Sequence, residues 1–177
     1  CRGCPMTTRG LPACKRRPRS TNADGTQRKR PVDWEGNEQA VLMRWLLGEK
    51  MRGEPVGELY DAIYHVPNGG QRSKSTGAAM KRQGVKSGVS DLVVMDARGG
   101  WFGLYLEFKA SPPHTAALAD SQHDWLAMAE ERGYCAVLAV GLEEAKRVLR
   151  EYAAMGRTAH HYTARVHLKS GTEWRKG

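Results

Sequence analysis

The chain has 177 residues, 40% of them hydrophobic and 27% charged, which is ordinary for a soluble globular protein and enough for one domain with a real core. Its longest apolar runs, VLMRWLL and YCAVLAV, fall far short of the ~20 residues that span a bilayer, and no apolar secretory segment is seen, so neither a membrane helix nor export is expected. The net charge of +9 is uneven: residues 1–30 carry nine Lys/Arg and one acid, the remainder 19 basic and 18 acidic side chains, so the basic character belongs to the start of the chain.

In chain order, residues 1–31 are rich in Pro, Arg, Thr and Gly without periodicity and read as a basic flexible arm. Lys15, Arg16, Arg17, Lys29 and Arg30 suit a polyanion, since each cation set on a phosphate releases counterions; a solvated leader is the plainer reading. Cys1, Cys4 and Cys14 have part of a zinc spacing, but a structural zinc site wants four ligands and the nearest histidine is His65, so isolated thiols are expected. Met6 is a candidate start. The folded region is expected over 32–156. Leu42, Trp45 and Leu46 predict a helix over 35–52, with Glu38 on the same stripe. Residues 59–66 read as a strand closed by the PNGG turn (67–70), 75–83 as a short helix, and GVKSG (84–88) as a turn. Strands at 89–95 and 101–109 should pair antiparallel through DARGG (96–100). SPPH (111–114) breaks the chain. A helix follows at 120–132, with Asp120 or Ser121 near its N-cap, then a central strand at 134–140 and an amphipathic helix at 142–155. Cys135 reads as a small buried hydrophobe. Residues 157–177 are a tail or, at 162–168, an edge strand. This order predicts an α/β protein, a mixed sheet flanked by helices.

Asp91, Glu107 and Lys109 lie inside the strand-like runs VSDLVVM (89–95) and WFGLYLEFKA (101–110), where an uncompensated charge is costly. Glu107 and Lys109, two apart, point to one face. Two carboxylates that hold a cation, with an ammonium beside the attacking water, make the arrangement a magnesium-dependent phosphodiesterase needs. The Glu-x-Lys pair alone would read as a surface salt bridge, with Asp91 capping a turn. Asp91 and Glu38 in their contexts favour the metal site. Hard oxygen donors favour Mg²⁺, with Mn²⁺ as a substitute. Asn68, Gly69 and Gly70 form either a phosphate cradle or a plain turn, and Asn68 and Arg72 are candidate nucleic-acid contacts. Lys81, Arg82 and Lys86 suit a nucleic-acid backbone or a solvated helix face. His65 reads as a core or rim histidine, and Trp34, Trp45, Trp101 and Trp125 as core or interface aromatics rather than base-stacking platforms.

Glu38, PNGGQR (67–72), GVKSGVSDLVV (84–94), YLEFKA (105–110) and SQHDWL (121–126) followed by Gly133 form an ordered set over roughly residues 35–150. The set resembles the PD-(D/E)xK nuclease superfamily, and within it the VRR-NUC branch. The Pro-Asp position of that superfamily reads Ser90-Asp91 here, which keeps the carboxylate and loses the rigid proline. The resemblance implies a restriction-endonuclease-like core. It implies metal ligation by Asp91, Glu107 and the backbone carbonyl of Phe108, and completion of the site by Glu38, directly or through water. Lys109 would act on water or on phosphorane charge, and Gln122 would support that lysine or a phosphate. The implied activity is a DNA endonuclease that favours branched or Holliday-junction DNA, with a role in DNA repair. The implied setting is a homodimer in the cytoplasm of a bacterial host, of phage or bacterial origin. The alternative is a non-catalytic nucleic-acid-binding module that keeps the fold. A sequence-specific restriction-type enzyme would need a recognition domain, which this chain does not display.

Overall fold

The computed structural model of the chain describes residues 32–67, 74–159 and 164–175. Lys15, Arg16, Arg17, Lys29 and Arg30, the cysteines Cys1, Cys4 and Cys14, and Asn68 and Arg72 lie outside the described residues. Helix α1 (Trp34–Arg52) begins at Asp33, whose carboxylate accepts the Gly36 N–H at 2.9 Å. It ends at Gly53, whose φ of 74° belongs to the left-handed region and lets the chain turn away. Leu42 and Leu46 are fully buried, as their spacing requires, and Trp45 is half-buried under the Arg150 guanidinium, 4.8 Å from its ring centroid.

The strand expected at 59–66 is a strand only at its end. A 3-10 helix occupies Pro55–Asp61, and β1 is confined to Ile63–His65. Val56, Leu59 and Ile63 are the buried apolar side chains, a spacing of three and four that no alternating strand gives. Asp61 turns outward to Lys50, 2.6 Å away. Gly57 lets this segment press on the end of α1, because a Cβ there would run into the Lys50 backbone.

Then come α2 (Lys74–Arg82), β2 (Leu92–Val94), β3 (Leu104–Lys109), α3 (Asp120–Glu131), β4 (Cys135–Val140) and α4 (Leu142–Ala154). The sheet order is β1-β2-β3-β4; the first two pairs are antiparallel and β3–β4 is parallel. The mixed sheet and the antiparallel β2–β3 pair are as expected, but both strands are shorter. The hairpin connection between them is held by side chains. Buried Arg98 donates to Asp96 at 2.7 Å, to Glu58 at 2.8 Å and to the Ala153 carbonyl at 2.6 Å. Trp101, 2% exposed, sits before β3 and donates its indole N–H to the Val166 carbonyl.

Helices cover both faces of the sheet. Leu104, Leu106, Phe108, Val137 and Ala139 pack with α1 and α4, whereas Tyr105, Ala136 and Leu138 pack with α3 and Trp174. Strand alternation therefore sends Glu107 and Lys109 to the α3 face. Cys135 is buried, and burial pushes its thiol up to about 12, so it is an inert core group. The N-cap of α3 is Ala119, not Asp120 or Ser121, and its N–H donates to the Gln122 side-chain oxygen at 3.0 Å. The described part of 162–168 forms no strand. Instead Thr172 bridges Leu138, and the Trp174 indole donates to the Ala136 carbonyl at 3.2 Å, which covers the free edge of β4. Among the described residues no helix is long and apolar enough to cross a membrane.

Candidate active site

Asp91 stands just before β2. Its carbonyl accepts the Val66 N–H at 2.8 Å and lies 3.0 Å from His65 Nδ1, and its Oδ2 accepts the Phe108 N–H at 3.1 Å. The carboxylate is thus fixed across the end of β3. In an extended strand a residue's N–H and C=O point to one edge, so the Phe108 carbonyl opens on the Asp91 side. His65 is at the rim, bonded to the backbone of Asp91 rather than buried.

Glu107 is fully buried. Its Oε1 accepts from Lys109 Nζ at 2.8 Å and from Gln122 Nε2 in a short contact, while Oε2 has no partner. Gln122 reaches the site because α3 begins beside β3. Gly88, with φ of 80°, lets the turn before β2 lie against the α3 backbone, where a Cβ would strike the Ser121 carbonyl. Ser90, just before Asp91, is fully buried with its hydroxyl unpartnered.

Glu38 takes a different part from the one its stripe suggested. Its carboxylate accepts the Ser111 N–H at 3.1 and 3.2 Å and the Ser111 hydroxyl at 2.8 Å, just past β3. The helix carboxylate that joins the site is Glu35, one turn earlier, whose Oε2 is 3.7 Å from Lys109 Nζ. Sequence reasoning missed it. Glu35 stands seven and eleven residues before the buried Leu42 and Leu46 and so shares their face; that spacing, together with its place in the first turn, could have pointed to it.

The electrostatics follow from three carboxylates around one ammonium. Burial pushes Glu107 up to about 7, and the nearby charge of Asp91 adds to this against the pull of Lys109. Burial also raises Glu35, again against Lys109, with Asp91 and Asp33 adding. Burial alone would lower Lys109, but the hydrogen bond and charge of Glu107, followed by Glu35 and Asp91, outweigh it and hold the ammonium above its usual range. Burial leads for the two carboxylates; surplus negative charge adds to both and holds Lys109 charged. Together with the orphaned Glu107 oxygen, that surplus fits a bound cation.

Among the described residues no group of three or more His, Cys, Asp or Glu side chains forms a ready-made metal cage. The donors gathered here are carboxylate oxygens, a set that suits a hard cation such as Mg²⁺, which keeps several waters and takes one or two carboxylates. Glu35, Asp91 and Gln122 line a cleft of about 450 Å³ together with Lys81 and Lys86, both exposed. A larger cavity of about 870 Å³, between α3, the start of β4 and residues 165–175, contains none of the candidate site residues.

The chain matches the model of the VRR-NUC domain over residues 33–141. A solved structure described as a VRR_NUC domain protein is 32% identical, with a TM-score of 0.59; the match covers 73% of this chain and 94% of that one. No curated protein matches the chain. The chain belongs to the VRR-NUC family, a PD-(D/E)xK nuclease type. A nuclease-type function and DNA binding are what this membership implies.

Proposed function

We propose that the chain is a divalent-cation-dependent endonuclease that hydrolyses phosphodiester bonds in branched DNA and works as a homodimer. The observation that carries this reading is Glu107: a fully buried carboxylate, one oxygen unpartnered, held by Lys109 and Gln122 beside Asp91. Asp91 and Glu107 would hold Mg²⁺, with the Phe108 carbonyl as a further donor and Glu35 in the place first given to Glu38. A cation there supplies Lewis acidity toward a phosphoryl oxygen.

The remaining work belongs to the chain. Lys109, kept charged by Glu107 and Glu35, orients the attacking water or stabilises charge on the phosphorane. Gln122 fixes Glu107 by bracing its amide on the start of α3. Lys81 and Lys86 give the cleft two cations for DNA phosphates. Four-way junction, flap and linear duplex DNA, incubated with Mg²⁺ or EDTA, test this. Cutting should require the metal and favour branched DNA, and Asp91→Ala and Lys109→Ala should abolish it while binding persists. Wild-type cutting in EDTA, or full activity of either variant, would remove the assigned site; binding without any cutting would point to a non-catalytic module. Sedimentation of the full chain tests the dimer.

A further inference from the structure

Trp34, expected to be a core or interface aromatic, is 45% exposed and so lies outside the core. Its ring stacks on His114, also exposed, with centroids 4.1 Å apart and planes 4° from parallel. The imidazole covers one face of the indole, so the exposed area lies on its other face and edges.

Three sets of contacts hold this pair in place. Asp33 caps the first turn of α1, which carries Trp34. Glu38 lies four residues on from Trp34, on the same side of the helix, and grips Ser111 through three hydrogen bonds. The segment that follows closes on itself: the His114 N–H donates to the Ser111 carbonyl at 3.0 Å, and the Thr115 hydroxyl donates to the Ala110 carbonyl at 2.7 Å. Glu38 therefore ties the segment bearing His114 to the helix bearing Trp34. The stack is also next to the chemistry. Glu35 follows Trp34 in sequence and reaches Lys109, while His114 lies five residues beyond Lys109.

We propose that the Trp34–His114 pair is a stacking subsite for one unpaired nucleobase of the DNA strand being cut; this rests on the nuclease reading above. A base inside a paired helix is already stacked on both faces and cannot offer a face to an indole. An unpaired base at a branch point, flap or splayed end can, and every base has a face to offer, so the preference is for DNA structure rather than sequence. The pair would select unpaired nucleotides beside the scissile phosphate, while Lys81 and Lys86 contact the backbone in a structure-independent way.

The test uses the full chain and a splayed duplex carrying a single abasic nucleotide, moved stepwise past the cleavage position. Binding is read by fluorescence anisotropy in EDTA and cleavage with Mg²⁺. At one position the missing base should weaken wild-type binding about tenfold. Trp34→Ala should weaken binding of intact DNA about as much and lose sensitivity to the abasic site, so that the two losses do not add. Trp34→Phe should keep most of the affinity, and His114→Ala should lose part of it. Thermal melting confirms that each variant is folded. Wild-type cutting with the same abasic penalty in Trp34→Ala overturns the subsite alone. A wild type that neither binds nor cuts any DNA overturns the nuclease reading, and the subsite with it.

Discussion

Glu107 is where stability and activity oppose each other most directly. Its carboxyl is pushed from 4.5 up to about 7 in the folded protein. The folded state therefore binds its proton more tightly than the unfolded chain does. This contribution is fully present below the unfolded value and is lost as pH rises through the folded one. In EDTA, stability should fall between about pH 4.5 and pH 7, by a few kcal/mol at ~1.4 kcal/mol per pKa unit. Denaturant unfolding at pH 5 and pH 8 measures the fall, and Glu107→Gln should flatten it. Mg²⁺ should restore wild-type stability at pH 8 and do little for the variant; equal metal stabilisation of both would separate Glu107 from the ion. Glu35 and Glu38 divide the two roles of helix carboxylate. Glu35→Gln should cut activity at least tenfold with little loss of stability. Glu38→Ala should lower stability by about 1–3 kcal/mol, because Ser111 loses the acceptor of its N–H and hydroxyl. Asp91, Glu107 and Lys109 stood out because charges in apolar runs break the alternation, whereas Gln122 came only from the family resemblance. The choice between Glu35 and Glu38 was not. The apolar stripe identifies the helix face toward the core, but the end of β3 lies level with the helix's first turn, and that axial offset is tertiary information.

Elements were readable wherever one periodicity ran long enough. The four helices and the β2–β3–β4 core follow from apolar spacing and Gly boundaries. The segment 55–66 did not, because its apolar residues satisfy a strand by composition and a 3-10 helix by spacing, and packing against the end of α1 decides between them. The connection from β2 to β3 was readable as a hairpin, but what holds it was not: Arg98 spans Asp96, Glu58 and Ala153, a bond set drawn from distant parts of the chain. Helix α1 gives the prediction at this scale. Its first turn positions both Glu35 and Trp34, and its one side-chain cap is Asp33. Asp33→Ala should cost about 1 kcal/mol in urea unfolding. It should also slow cleavage, although Asp33 touches none of Asp91, Glu107 or Lys109. Asp33→Asn, which keeps a capping oxygen, should recover most of both losses. Failure of that rescue would mean that the charge of Asp33, which helps raise Glu35, matters more than the cap.

Charge in the molecule as a whole is separated from chemistry. Residues 1–30 carry a net +8, while the remaining 147 residues, with the acidic site among them, carry +1. A site with surplus carboxylates repels phosphate until a cation is bound, so affinity for DNA must come from elsewhere. Lys81 and Lys86 supply two charges at the cleft. The arm holds nine. Each Lys or Arg that neutralises a phosphate steepens the fall of log affinity with log salt by about 0.9 on duplex DNA. If even half of the arm's cations engage, removing residues 1–30 should reduce the slope by about 4 and weaken binding by several orders of magnitude at low salt. Near 1 M salt, where the ionic term is small, the full and truncated chains should converge. A compact unit begins at Asp33, so the truncation leaves that unit whole. The measurement is anisotropy of a labelled junction from 50 mM to 1 M salt, with the catalytic variant Asp91→Ala to prevent cutting. A truncated chain with an unchanged slope would make the arm a bystander and shift the electrostatic burden to the cleft lysines.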